Sequence, residues 1–177
     1  MIKRLKNSIF KIRILLAGEF DRAALYQKQF GVNFGKNVRI TGIPSFGSEP
    51  YLISIGDNVT ITQGVTFLNH DGGVILIRHK YPGIDLIKPI NIGNNVFIGA
   101  HTTILAGVNI GNSVIVGAGS LVTKNVPDNT VIGGVPARVL KSLDEYEEKA
   151  LKEAIYIKTR VNGKQREKEI KQALNIR

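Results

Sequence analysis

IGNNVFIGAHTTILAGVNIGNSVIVGAGSLVTKNVP, residues 92–127, decides the fold. Set out in sixes, it puts Ile92, Ile98, Ile104, Ile110, Val116 and Val122 in one phase, with Val96, Thr102, Val108, Val114, Ser120 and Val126 four places after each. A helical face recurs at three and four residues and a strand alternates at two, so a strict period of six is a short strand plus a corner, repeated. Hexad repeats of this kind point to a parallel β-helix.

The hexad predicts an all-β solenoid of triangular cross-section. Its first residue points into the axis, its fifth fills the next layer, and three hexads make a coil. A Gly-polar-polar corner recurs as Phe34-Gly35-Lys36-Asn37-Val38, Ile55-Gly56-Asp57-Asn58-Val59, Ile92-Gly93-Asn94-Asn95-Val96 and Ile110-Gly111-Asn112-Ser113-Val114. Gly and Asn tolerate the left-handed backbone angles of a tight corner. Ile92 to Ile110 is 18 residues, one uninterrupted coil, whereas Phe34 to Ile55 is 21 and Ile55 to Ile92 is 37. Insertions are therefore expected near Ser45–Pro50 and Gly72–Pro89, and in solenoids function sits on such excursions.

Composition fits one such domain: 177 residues, 43% hydrophobic, with 19 glycines and no cysteine. The lack of Cys excludes a disulfide framework and a Cys-nucleophile intermediate, and agrees with a reducing compartment. No apolar run approaches the roughly 20 residues of a membrane span, so the expected location is the cytoplasm, at the inner face of the membrane if the first helix touches lipid. The net charge of +10 is uneven, with five basic residues and no acid in residues 1–16, nine against seven in 17–140, and ten against seven in 141–177. Without interleaved aromatics or a nucleic-acid motif, the excess suits an anionic cofactor or membrane surface, and no nucleic-acid partner is expected.

Three parts follow in chain order. Residues 1–30 read as helix, with Ile2, Leu5, Ile9, Ile12 and Leu16 on one face and basic residues crowding the rest; this segment caps the first coil or lies on a membrane surface. Residues 31–141 form the solenoid, which Ile132–Val139 closes after the hexads fade. Residues 142–177 form a helical tail, Leu143–Ile157 and Gln165–Leu174, expected to cap the far end.

The closing runs GSLVTKNVP and GGVPARV, with the coils from Phe34 to Lys141, closely resemble the hexapeptide-repeat acyltransferases, in particular the acetyl-CoA-dependent sugar, polysaccharide and xenobiotic O-acetyltransferases. The resemblance implies a left-handed parallel β-helix, against the usual right-handed crossover. It also implies a homotrimer with sites in grooves between neighbouring prisms, and acetyl-CoA as acyl donor with no metal.

Acyl transfer to a hydroxyl needs a base, and histidine suits that task near neutral pH. His70 stands where coil gives way to the long excursion, and by the resemblance it occupies the catalytic position. His79, within the excursion, reads as a loop or acceptor contact. His101, in GAHTTI, reads as lining the groove from a regular face. Glu49 and Asp71 are candidates for orienting His70 or binding acceptor hydroxyls, and Asn69 is a candidate substrate contact. The resemblance further implies that Ala100 and Ala118 face the pantetheine arm, that Gly117 keeps that wall low, that Thr123 and Lys124 meet the nucleotide end of coenzyme A, and that Arg138 and Lys141 suit its phosphates. The acceptor is expected to be a sugar or surface-polysaccharide unit, with an amino-sugar N-acetyltransferase or a serine or xenobiotic O-acetyltransferase as alternatives. A zinc hydratase or a non-catalytic scaffold on the same solenoid is remote, because histidine spacings of 9 and 22 do not match two zinc ligands about five residues apart.

Overall fold

A computed structural model describes residues 2–176, with side chains described from Ile9 onward. The apolar positions expected at Ile2 and Leu5 thus have side chains outside the described residues. The chain divides into two compact units, Met1–Leu143 and Asp144–Arg177.

In the first unit the chain winds repeatedly through three sheets. One contains β1 (Asn33–Phe34), β3 (Ile53–Ile55), β6 (Ile90–Ile92) and β9 (Asn109–Ile110). The second contains β2 (Arg39–Ile40), β4 (Thr60–Ile61), β7 (Phe97–Ile98), β10 (Ile115–Val116) and β12 (Thr130–Gly134), with β13 (Ala137–Ser142) at its edge. The third contains β5 (Thr66–Leu68), β8 (Thr103–Leu105) and β11 (Leu121–Val122). Every pairing between successive coils is parallel, and like residues stack: Ile61 on Ile98 on Val116 on Ile132, and Phe67 on Ile104 on Val122.

The hexad phases fall inside as expected. Both the first and fifth places, from Ile92 to Val126, are buried along the whole repeat. The two polar fifth places find local partners, since the Thr102 and Ser120 hydroxyls both donate to the Gly117 carbonyl, at 3.2 and 2.6 Å.

The corners between the first and second sheets carry their own ladder. The N–H groups of Lys36, Asp57, Asn94 and Asn112 donate to the side-chain Oδ1 of Asp57, Asn94, Asn112 and Asp128, one coil on, at 2.6, 2.7, 2.9 and 2.7 Å. The next corner residue is left-handed each time, at Asn37, Asn58, Asn95, Ser113 and Asn129, with φ of 54–57°. At the end of the ladder the Asn112 N–H, and then its side-chain amide, hold the Asp128 carboxyl below its ordinary pKa. Gly93 is required for a different reason, because a methyl there would stand 2.6 Å from the Gly111 oxygen of the next coil.

Three expectations need correction. The single helix over residues 1–30 is two, α1 (Ile2–Leu16) and α2 (Arg22–Phe30). The Gly18 carbonyl accepts from the N–H groups of Asp21 and Arg22, and the Arg22 guanidinium donates to Ile14 O and Ile40 O, both at 3.0 Å, so the break is tied to the first coil. Ile14, Ala23 and Tyr26 join the core there. Second, Ile132–Val139 does not complete a coil; β13 turns back antiparallel on β12, ending the parallel winding with a hairpin. Third, α3 (Leu143–Glu153), all but its first residue in the second unit, stops short of Ile157, ahead of α4 (Lys164–Ala173). The Glu169 carboxylate accepts from the Thr159 hydroxyl and N–H, from the Gln165 side-chain amide and from the Lys158 N–H, the backbone pair being donors that helix would otherwise use, and these bonds, the Thr159 hydroxyl foremost, draw its pKa down to about 2.

Steric demand at the corners separates two glycines with ordinary φ. Gly93→Ala is expected to cost about 1–3 kcal/mol, the usual cost of overpacking. Gly72→Ala, where a methyl meets nothing within 4 Å, should be neutral or stabilising by up to about 1 kcal/mol. Urea denaturation of the two variants checks the contrast.

Candidate functional site

Both insertions converge on the end of β5. The first bulges out around Ser48 and Glu49 before a 3₁₀ turn at Pro50–Leu52. The second leaves after His70, forms a 3₁₀ helix over Gly72–Ile77 and returns to β6. Its base is zipped shut: the Asp71 N–H donates to Leu86 O and the Lys88 N–H to Asn69 O, both at 2.9 Å, while His70 pairs antiparallel with Ile87.

Asn69 anchors this junction. Its side chain is fully buried, its Nδ2 donates to the backbone carbonyl of Glu49, and its Oδ1 is a buried acceptor without a protein partner. Gly47 packs directly against that oxygen, where a methyl group would stand at 2.7 Å. Asn69 therefore acts as a buried strut between the insertions.

Beside it, His70 Nδ1 lies 2.7 Å from Ser48 Oγ, and the Ser48 hydroxyl donates to Glu49 Oε2 at 2.6 Å. The hydroxyl has one proton, committed to the carboxylate, so its oxygen accepts from Nδ1–H. That order of donors fixes the tautomer and leaves Nε2 as the unprotonated ring nitrogen. Glu49 Oε2 also lies 3.5 Å from Nδ1. The imidazole is 45% exposed and its carboxylate partner 20%, so the ring faces outward while the carboxylate is sheltered.

Ser48 was not among the residues singled out in the sequence. Its only signal is adjacency to Glu49 in SFGSEP, which gives no side-chain direction. Asp71, by contrast, turns one oxygen to its own loop, accepting from the Gly73 N–H at 2.8 Å as cap of the 3₁₀ helix. His79 is exposed in the turns that follow that helix.

His101 is not on a regular face. It occupies a corner at φ 58°, where its N–H donates to Gln63 O and a methyl at Gly64 would stand 2.5 Å from its Nδ1. Gly64 and Gly119 take left-handed conformations in the neighbouring coils, so histidine stands where glycine is the easier choice. Ala100 and Ala118 belong to this corner, joined by the Gly119 N–H donating to Ala100 O at 2.7 Å. Gly117 precedes Ala118 and its N–H donates to Ile132 O at 2.8 Å.

Thr123, Lys124 and Arg138 line one cleft of about 170 Å³ between the turn after β11 and the terminal hairpin, with Val122, Pro127 and Val139 as its apolar part. Two cations at a small, partly apolar cleft fit a phosphate-bearing ligand with a hydrocarbon arm. Lys141 lies outside that cleft, paired with Val131 in the hairpin ladder. The expected donor-binding residues thus fall on separate edges of the prism, the alanine corner on one and the basic cleft on another. Among the described residues no group of three or more His, Asp or Glu is placed to hold a metal ion.

Residues 89–124 match the family model for bacterial transferase hexapeptide (six repeats). A protein named CapG from Staphylococcus aureus is 56% identical over 133 residues, covering 74% of this chain and 77% of CapG. The galactoside O-acetyltransferase of Escherichia coli (strain K12) is 40% identical over 115 residues, which cover 65% of this chain and 54% of that enzyme, about half its length. Among solved structures, a hexapeptide-repeat acetyltransferase from Vibrio cholerae O1 biovar eltor complexed with acetyl coenzyme A matches with a TM-score of 0.57 at 30% identity, over 77% of this chain and 84% of that one. With the hexads stacked as coils and the CapG match spanning most of both chains, the protein belongs to the hexapeptide-repeat acyltransferase family.

Proposed function

We propose that this protein is an acetyl-CoA-dependent O-acetyltransferase acting on a hydroxyl of a saccharide, on a left-handed coil, with His70 as general base. The observation that carries the reading is the His70–Ser48–Glu49 chain, which leaves Nε2 unprotonated and outward-facing at the meeting of two insertions. The sugar acceptor is supported by the galactoside specificity in the name of one relative, and the donor by the acetyl coenzyme A in the Vibrio complex.

His70 Nε2 takes the proton of the acceptor hydroxyl as its oxygen forms a bond to the thioester carbonyl carbon. The Glu49 carboxylate stabilises the resulting imidazolium through Ser48 Oγ. As the carbon–sulfur bond breaks, Nε2 returns the proton to the departing thiolate, so proton and charge balance and no acyl-enzyme forms. Bound acetyl-CoA supplies the acyl group and thiol leaving group; Thr123, Lys124, Arg138 and Lys141 hold its phosphates, and the low wall at Ala100, Gly117 and Ala118 admits its pantetheine arm. Asp71, His79 and His101 lie where acceptor or donor passes.

His70→Ala should lower kcat by about 10²- to 10⁴-fold while affinity for acetyl-CoA stays near its starting value. Glu49→Gln removes the carboxylate that takes the Ser48 proton and faces the imidazolium formed during transfer, and should lower kcat by about tenfold, the worth of a charge-assisted hydrogen bond. Steady-state kinetics reads both; retention of more than about a tenth of kcat by His70→Ala rules out the base assignment.

Lys124→Ala and Arg138→Ala should each weaken coenzyme A by about tenfold or more, the cost of a charge-assisted phosphate contact. A thermal-shift titration reads this, since a ligand present at about 100 times its Kd adds roughly 2.7 kcal/mol to the native state.

Donor-binding residues on separate edges make a complete site only where one prism meets another, which supports a homotrimer. Light scattering should give three times the chain mass, and a fully active monomer would contradict it.

A further inference from the structure

α1 has two apolar faces, and only one of them is used. Phe10 and Ile14 turn inward, the Phe10 ring standing edge-on to Tyr26 and Phe30 with centroids 5.4 and 5.0 Å apart, and Ile14 only 2% exposed. The face marked out by the sequence period is the other one. Ile9, Ile12, Leu15 and Leu16 are 50, 57, 64 and 83% exposed, and Phe20, just past the helix, is 56% exposed. At 3.6 residues per turn those four helical positions span an arc of about 120°, with Lys11 about 40° beyond one edge and Arg13 about 40° beyond the other. No acidic residue occurs in residues 1–18, whereas Lys3, Arg4, Lys6, Lys11 and Arg13 are all basic. The sequence carries the same phase back through Leu5 and Ile2.

We propose that α1 lies in the plane of an anionic lipid bilayer, seating Ile9, Ile12, Leu15 and Leu16 at the headgroup–acyl boundary with Lys11 and Arg13 on lipid phosphates. An apolar arc flanked on both sides by cations is the pattern of an interfacial helix, in which long basic side chains reach up to phosphates while the arc sinks below them. A protein partner for this arc would be expected to bring acids to both flanks or a polar rim, and a second copy of α1 would set cation against cation. The helix lies flat rather than spanning, because 15 residues are about 22 Å long and no described helix is long and apolar enough to cross a membrane. α1 is tied through Arg22 to Ile40 of the first coil, so docking it would hold the solenoid at the surface. This inference is independent of the acetyl-transfer reading, since it uses no residue of the proposed site.

The test is flotation of the full chain on vesicles of phosphatidylcholine mixed with phosphatidylglycerol, against phosphatidylcholine alone, at low and high salt. The wild type should float with the anionic vesicles and lose most of that binding in high salt. Ile12→Asp/Leu16→Asp should weaken it by about tenfold or more, and Lys11→Glu/Arg13→Glu by a similar factor on anionic vesicles, as each basic residue near such a surface contributes about fivefold. Both double variants alter exposed side chains, so unchanged thermal midpoints and solution mass are expected. No flotation of the wild type at low salt overturns the proposal, as does flotation that survives both double variants. A loss of oligomeric mass in Ile12→Asp/Leu16→Asp with vesicle binding intact also overturns it, assigning the face to self-association.

Discussion

Parallel stacking of identical short strands is the constraint on which everything else depends. Each coil satisfies its backbone groups with the coil on either side, so a residue at one position meets the residue at the same position one turn away. Ile61, Ile98, Val116 and Ile132 form such a column, and the corner amides of Lys36, Asp57, Asn94 and Asn112 form another through side-chain oxygens. The stacking tolerates no intrusion at the corners, as the near contact of Gly93 with Gly111 shows.

Regularity of this kind makes a core legible but also makes it chemically quiet. A face whose donors and acceptors all point along the stack has none left for a substrate. Reactive groups must come from places where the stack is interrupted, and the protein has two interruptions on neighbouring coils. Asn69 links them: its side-chain amide donates to the Glu49 carbonyl while its own backbone carbonyl accepts from Lys88. A buried acceptor without a partner, Asn69 Oδ1, stands at that junction, and such groups are tolerated where the surrounding packing fixes them.

The six-residue period exposed the coils because it is a property of spacing alone, and so were the insertions, as departures from 18. What escaped was decided by single side chains reaching across distance. The break between α1 and α2 depends on the Arg22 guanidinium finding the carbonyls of Ile14 and Ile40, and nothing in the helical pattern announces it. The reversal of β13 was hidden for a related reason, since β12 and β13 read as fading hexads until their pairing is known. At the site, His70 was found from its place at the coil's edge, but its order of proton donors was not. Ser48 lies 22 residues away and meets the ring only because the first insertion reaches the end of β5, where the second begins. His101 was misplaced because a hexad count identifies the corner without saying which residue takes the left-handed angle.

The outward arc of α1 follows from the same competition between local and tertiary demands. Periodicity found the larger apolar stripe of the helix, Ile9, Ile12 and Leu16, and by ordinary reasoning a stripe of that width faces a core. α2 and the first coil, however, together present only a narrow aromatic seat of Tyr26, Phe30 and Phe46, and Phe10 with Ile14 fills it. Packing thus took the narrower face and left the wider one to the solvent. A surface helix with its stronger apolar side turned outward has little to gain from water. Lys11 and Arg13 at the borders of the arc say which environment replaces water, because an anionic interface satisfies both the arc and its borders.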